Sequence, residues 1–420
     1  MIREAPPGCP VEAGFDPLAP EYLADPIAVL EALPAGSRPL FYAPSLDHVV
    51  VLDHGLIDEI FRNPEVYSAA NTQLPLVPIV PEAQEILLAG GHRPQPSMVS
   101  LDPPEHARLR RPAARAFTPR RVTAMADTIR ATTHELLDTV EGRHRFDIVA
   151  VVAHPLPASV MFALIGLPRD AWGTLKRWCG YRAELSWGRP RPETQVEIAT
   201  NMAAYRAFLR DFVTLRMKER ADDLCSDLCA IHDEDPERLT TAEITSILFS
   251  LSFAGHETTT GLIGNAVRRL LEAPERWEAV VADPALVGGA VDETLRYDTS
   301  VPVWRRVTTR ATTLGGMELP AGTKLFLWLA ACNRDPAVFA EPDRFDLRRG
   351  DAHRALSFGK GAHYCLGAAL GRLEAQLALE ELTARHPRLR LEGGQRLRFH
   401  PNIAFRGPLE LWVEHGPVRA

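Results

Sequence analysis

The sequence predicts a mainly helical fold with a smaller β-rich region, on three observations. Between about residues 120 and 300, apolar residues recur at helical spacing over long stretches. Strand-like runs are confined to 48–52, 308–329 and 397–413. No Gly/Ser linker, internal repeat or low-complexity block divides the 420 residues. One compact unit over 1–420 is therefore expected, with 1–14 a flexible N-terminal tail. At 46% hydrophobic residues the chain can build a large core. The 35 prolines are scattered, as helix starts and turns require, rather than clustered as in a disordered segment.

Composition excludes several classes. A net charge of −7 argues against nucleic acid as a partner. The N-terminus has no cationic segment followed by an apolar run, which argues against a signal peptide. The longest apolar stretch, 148–167, is interrupted by His154, Pro155 and Pro157, so no membrane span is expected. The six cysteines (Cys9, Cys179, Cys225, Cys229, Cys332 and Cys365) are dispersed, which fits reduced thiols in a cytoplasmic protein. A monomer is expected.

The first element that carries chemistry begins at Asp102-Pro103-Pro104-Glu105, which reads as an N-cap with proline at the first helical position. His106 and Arg110 then fall at i, i+4 on one face, suited to binding the carboxylates of a cofactor. Arg108, Arg110, Arg111, Arg115, Arg120 and Arg121 lie within fourteen residues. That is either a solvated basic face or a surface for an acidic protein. Thr240-Thr241-Ala242-Glu243 fits a capping box and opens a long helical pattern. In the middle of that helix stands Ala254-Gly255-His256-Glu257-Thr258-Thr259, a poor choice for a helix interior, since Gly255 alone costs about 1 kcal/mol relative to alanine. Back-bonding of Thr258 to the Ala254 carbonyl, with no side chain on Gly255, can open a small polar groove there for water or a diatomic ligand. The alternative is an ordinary buried helix with a polar lapse. Glu293 and Arg296 fall at i, i+3, which suits a charge-assisted pair. Arg344 is expected to close a Glu–Arg–Arg cluster with them.

The most informative residue is Cys365. It follows a glycine-rich loop from Phe358 and stands where an apolar helical pattern begins, with Leu366, Leu370, Leu373 and Leu377 in phase. Free N–H groups and a helix N-terminus bias such a cysteine toward thiolate. With no partner cysteine nearby, the leading candidate for what it holds is a haem iron. A nucleophilic cysteine is a weaker reading, because the loop offers no base–orienter pair beyond His363. Cys225, Cys229 and His232 at i, i+4, i+7 fit a zinc site or, equally, a packed helical stripe.

Taken in order, the Cys365 loop, the segment Ala254 to Thr259, Glu293-x-x-Arg296 and the Asp102 to Arg110 segment resemble the signatures of the cytochrome P450 haem-thiolate monooxygenases, over about residues 15–413. Ser186-Trp187-Gly188-Arg189-Pro190 and the segment Pro401 to Pro408 look most like the haem portion of bacterial self-sufficient, reductase-fused members. The resemblance implies a single P450-type triangular prism and haem b (iron protoporphyrin IX) as cofactor. It also implies Cys365 as the axial iron ligand, with Phe358 against the sulfur and Gly359, Gly361 and Gly367 allowing close backbone approach. His106, Arg110, Arg306 and His363 match propionate-binding positions, with Arg305 as a fallback for Arg306, and Ala254 is placed beside the cofactor. Glu257 and Thr258 match the acid–alcohol pair that handles protons. The substrate walls are expected from Ser250, Phe253, Ala254, Val301 to Val303, Ile403, Ala404 and Phe405, and the loop 71–99. Pro112 departs from the pattern, since it removes a helical hydrogen bond where the propionate helix would continue.

The implied function is insertion of one atom of O2 into a small, apolar or aromatic substrate, by hydroxylation or O-dealkylation. Electrons would come from NAD(P)H through an acidic ferredoxin or a flavin/iron–sulfur reductase. A peroxygenase and a non-catalytic haem sensor are the alternatives.

Overall fold

Helices dominate the computed structural model, which describes residues 5–91, 97–180 and 182–416. Residues 1–4 of the expected tail and 92–96 of the loop 71–99 lie outside the described residues. The strands are β1 (Leu40–Ala43), β2 (His48–Val51), β3 (Tyr67–Ser68), β4 (Arg145–Asp147), β5 (Val303–Thr308), β6 (Thr312–Leu314), β7 (Met317–Leu319), β8 (Lys324–Trp328), β9 (Leu389–Leu391) and β10 (Trp412–His415). The five-stranded sheet runs β1-β2-β8-β5-β3, with β2 and β8 parallel and its other pairs antiparallel. A three-stranded sheet, β4-β10-β9, and the hairpin β6-β7 complete the β-structure of the described residues. Strands fall in all three regions expected from sequence, but β1, β3, β4 and β9 lie outside them, β5 reaches 308–329 only at Thr308, and 397–413 is mostly irregular, its strand beginning only at Trp412.

Seven helices position the site: α1 (Glu105–Ala114), α2 (Pro155–Ile165), α3 (Trp172–Cys179), α4 (Pro192–Lys218), α5 (Thr241–Leu271), α6 (Val287–Tyr297) and α7 (Ala368–Arg385). The long α5 starts with the expected capping box, in which Thr240 and Glu243 satisfy each other's backbone N–H groups. It runs through the centre of the main core, where Ile244, Ile247, Leu248, Leu262, Ile263 and Val267 pack against α2 and α7. A second core, aromatic, joins Phe15, Tyr22, Phe41, Phe326 and Trp328 of the sheet region to Phe253 and Phe405. No helix among the described residues is long and apolar enough to cross a membrane.

Local expectations were corrected in four places. The tail is packed from Ala5 onward: Cys9 is buried, and Glu12 and Pro10 exchange backbone hydrogen bonds with Tyr42 at 3.0 and 2.7 Å. Asp102 is not the N-cap. Its carboxylate turns away to accept from the Ala69 N–H at 2.9 Å and from Ser68, and α1 begins at Glu105. Pro112 does not end α1, which runs two residues further. The centre of α5 is unbroken helix, although Thr258 does back-bond to the Ala254 carbonyl at 3.1 Å. What Gly255 admits is a neighbour: a Cβ there would lie 2.1 Å from Met161 Cε, so the thioether of α2 occupies the space.

The zinc reading finds no support in the geometry. Cys225 and Cys229 are fully buried core residues, and His232 Nδ1 is bonded to the Leu239 carbonyl at 2.8 Å. No cluster of metal-ligating side chains is present among the described residues.

Candidate active site

A cavity of about 1570 Å³, counting its mouth, lies between α5 and the Cys365 loop. The floor is the loop Phe358–Gly359 with His363, Cys365, Leu366 and Gly367. Gly359 and Gly361 have φ of +66° and +65°, the left-handed region that favours glycine. At Gly361 a Cβ would also sit 2.4 Å from the Phe61 carbonyl oxygen. The turn they form returns the Cys365 N–H to the Phe358 carbonyl at 2.9 Å. Cys365 precedes α7 by three residues instead of starting it, with Gly367 at the N-cap. Burial pushes its thiol up, while the Gly367 N–H, Arg110 and Arg372 pull toward thiolate. The residue is accessible, and what it is accessible to is the cavity.

Four cationic or ionisable groups meet at one edge of this cavity. His106, Arg110, Arg306 and His363 all line it. The two imidazoles stack with centroids 4.0 Å apart, and Nε2 of each is buried with no hydrogen-bond partner. Burial holds His363 down to about 3, helped by the Arg306 charge, and depresses His106 as well. Arg306 is 2% exposed and donates to the Arg305 carbonyl at 2.8 Å. Burial lowers it to about 10, and Asp102 offsets this only in part. Arg110 donates to the Tyr364 carbonyl, tying α1 to the cysteine loop. Arg305, the fallback, points elsewhere, to the Thr72 carbonyl at 2.7 Å. Buried polar nitrogens without partners and a buried guanidinium without a contacting counter-charge are costly, so this edge fits an anion that the protein itself does not supply. Two carboxylates on a macrocycle fit that deficit, and a thiol opposite them fits its iron. The residues present therefore fit haem.

Along the opposite wall run Ser250, Phe253, Ala254, Gly255, Thr258 and Thr259 of α5. Glu257 is absent from the wall: its carboxylate lies 3.0 Å from His256 Nε2, away from the cavity. Val301 and Phe405 line the cavity as expected. Val303, Ile403 and Ala404 do not, but sit behind it in the aromatic core. Gln73, Met98 and Val99 of the expected loop 71–99 line it too, and Trp187 and Trp304 line it in addition.

Sequence reasoning missed two residues here. Glu374 lines the cavity from α7, 1% exposed, with Oε2 unpartnered, and burial raises its carboxyl well above the usual carboxylate range. Its signal was available: Glu374 stands four residues after the buried Leu370, on an apolar helix face. Arg349, and not Arg344, closes the cluster with Glu293 and Arg296, through Nε at 3.0 Å from Glu293 Oε1. Arg344 is exposed, pairs with Glu341 at 3.2 Å, and contributes only its carbonyl to Arg296 at 3.1 Å.

Comparison with known proteins agrees with this geometry. The cytochrome P450 family profile matches residues 199–386. The erythromycin C-12 hydroxylase of Saccharopolyspora erythraea is 37% identical over 334 residues, 79% of this chain and 82% of the hydroxylase. The chain belongs to the cytochrome P450 family. It is a haem monooxygenase, and its cofactor is haem b. Among solved P450 structures, an intact type IV self-sufficient monooxygenase superposes with a TM-score of 0.93 at 34% identity, over 99% of this chain. This chain spans 55% of that protein's length. The P450 CREJ in complex with (4-ethylphenyl) dihydrogen phosphate gives 0.91 at 34% identity, over 96% of this chain and 99% of CREJ.

Proposed function

We propose that this P450 oxidises small apolar or aromatic molecules by hydroxylation or O-dealkylation, with Cys365 as the axial ligand of its haem. The observation that carries the ligand assignment is the opposition of Cys365, on the cavity floor, to Thr258 on its wall, with the anion-deficient edge between His106 and Arg306. When bound, haem supplies the activation of O2, which a thiolate ligand favours by donating electron density. The chain's own residues do the rest. The Gly367 N–H, Arg110 and Arg372 stabilise the sulfur as thiolate and set its donor strength. Arg110 and Arg306 would neutralise the cofactor's carboxylates, and His106 and His363 would hydrogen-bond to them. Thr258 presents a hydroxyl to the cavity, and Glu257, next to it, supplies protons.

Four rings support the substrate class. Trp187 meets Trp304 at 5.6 Å and Phe405 at 5.4 Å, and Phe253 meets Phe405 at 5.5 Å. Such a box favours a flat apolar guest through offset and edge contacts. The ligand bound to CREJ, (4-ethylphenyl) dihydrogen phosphate, is of that kind at its aryl end.

Electrons come from NAD(P)H through an acidic ferredoxin or a flavin/iron–sulfur reductase. The basic face that would receive it is smaller than the sequence suggests. Arg108 pairs with Glu105 and Glu243 at 2.8 and 2.6 Å, Arg121 with Asp227 at 2.6 Å, and Arg110 turns inward. Arg111, Arg115 and Arg120 remain exposed.

The test is the Soret band of the reduced, carbon monoxide-treated protein. A strongly red-shifted thiolate band is expected, and its loss in Cys365→Ala with haem still bound. A histidine-type band in the wild type would overturn the ligand assignment.

A further inference from the structure

Beside Thr258 lies a buried charge pair whose histidine the haem site does not use. His256 of α5 has no solvent exposure, yet both its ring nitrogens face acceptors. Nδ1 lies 2.7 Å from the Ser252 carbonyl, and Nε2 lies 3.0 Å from Glu257 Oε1. A carbonyl oxygen can only accept, and so can an ionised carboxylate. Both nitrogens therefore carry protons, and His256 is an imidazolium with Glu257 as its counter-ion. Cys179 Sγ lies 3.9 Å from one ring nitrogen and 3.8 Å from the other. Both sulfur contacts are long beside the acceptors at 2.7 and 3.0 Å, which are the nearer partners of the two ring nitrogens.

The charged and titratable neighbours come from every element around the pair. Lys176 of α3 donates to the His154 carbonyl at 2.7 Å, and burial lowers it to about 8. His154 is exposed, His400 is half-buried, and Glu184 sits on the helix Arg182–Trp187 with its carboxyl raised by burial. These groups connect the pair to the surface. None of them contacts Glu257 as His256 does. The imidazolium and its companions hold Glu257 down to about 2 against the effect of burial, so its carboxylate stays ionised near neutral pH.

We propose that His256 is a positioning residue that stores the proton bound for the cavity and latches Glu257 away from Thr258 until that proton moves. The step balances within the pair. The N–H bond at His256 Nε2 breaks and an O–H bond forms at Glu257 Oε1. The ion pair becomes a neutral imidazole and a neutral carboxylic acid. No net charge moves through the low-dielectric interior, and the acid loses the attraction that held it turned away. It is then free to rotate toward the Thr258 hydroxyl. His256 regains a proton from solvent on the side of His154, Lys176 and His400. The inference rests on the assignment of Glu257 and Thr258 as the proton-handling pair.

Two measurements test it. The first is nitrogen-15 NMR of the haem-loaded, reduced, carbon monoxide-bound protein labelled at histidine. One histidine should show both ring nitrogens protonated from pH 6 to 8, vanish in His256→Gln, and titrate in Glu257→Gln. A wild-type spectrum in which no histidine has both ring nitrogens protonated in this range overturns the proposal, and this outcome needs no His256 variant that folds. The second is NADPH-driven O2 consumption with a surrogate plant-type ferredoxin and its reductase. The wild-type rate should be flat from pH 6 to 8. In His256→Gln the Glu257 carboxyl, buried without its cation, titrates within that range, and the rate falls about tenfold as pH rises, less than the ~10²-fold of a directly transferring group. An unchanged profile in His256→Gln alongside an impaired Glu257→Gln removes the latch and leaves the acid–alcohol assignment standing. Unchanged profiles in both remove that assignment, and the latch with it.

Discussion

Glu293, Arg296 and Arg349 form a buried cluster whose charges close on one another, whereas His106, Arg110, Arg306 and His363 form one that is short of an anion. In the first, Glu293 Oε1 and Oε2 accept from Arg296 at 2.8 Å each, and Arg349 adds a bond at 3.0 Å. The remaining guanidinium donors of Arg296 reach the carbonyls of Asn333, Pro342 and Arg344. In the second, two imidazole nitrogens have no partner, and Arg306 lies buried without a carboxylate in contact. Both are rich in arginine, the first built from α6 and a turn-rich stretch, the second from α1, β5 and the cysteine loop. The difference is that a self-satisfied cluster holds a fold together, while an unsatisfied one reserves a place for a ligand's charge.

The contrast breaks most sharply at Glu293. Glu293→Gln leaves the buried Arg296 guanidinium without its counter-charge, and Arg349 with only Asp351 at 3.6 Å, and should cost about 3–5 kcal/mol, read as a drop in the denaturant midpoint. A cost below about 1 kcal/mol would make this cluster no different from a surface pair. Arg306→Leu should do the opposite. It removes a buried cation that the protein does not neutralise, so at saturating haem the denaturation midpoint should fall only by the share that weaker haem binding accounts for. Loss of a charge-assisted bond worth roughly 1.5–3 kcal/mol should nevertheless weaken haem retention by ~10–100-fold, measured as haem transfer to a scavenger protein.

The smallest effect sharpens the comparison with a control. His48 Nε2 is also buried without a partner, but it faces no cavity. Burial holds its ring down to about 4. Its unfolded form protonates near 6.5, so between those values the unfolded chain binds the extra proton. Stability is then fully present above pH ~6.5 and declines as pH falls toward 4, by on the order of 3 kcal/mol at most. His48→Gln should flatten that slope without altering haem retention. A change in haem retention would mean that an orphaned nitrogen marks a ligand even away from the cavity.

Most of the site was legible before the fold was known, wherever its information is local. The cysteine loop, the capping box at Thr240, the i, i+4 placement of His106 and Arg110, and the Thr258 back-bond are relations among near neighbours in the chain. Partners that come from distant segments were not legible. Arg344 and Arg349 stand in one turn-rich stretch, and only its path past α6 decides which side chain reaches Glu293. Val303, Ile403 and Ala404 have the right chemistry for a cavity wall, yet the twist of their segments turns them into the core behind it.

Residue order alone was enough for the helical class and the glycine-rich cysteine loop, because spacing along a helix or a glycine turn is set by backbone geometry within a few residues, and the family followed from the resemblance of those motifs. Tertiary structure alone decided that Glu257 faces His256 and not the cavity, that Met161 fills the space at Gly255, and that Glu374 enters the cavity. Those outcomes depend on which surfaces pack together, and packing is settled by the burial of whole faces against one another and not by the residue next in line.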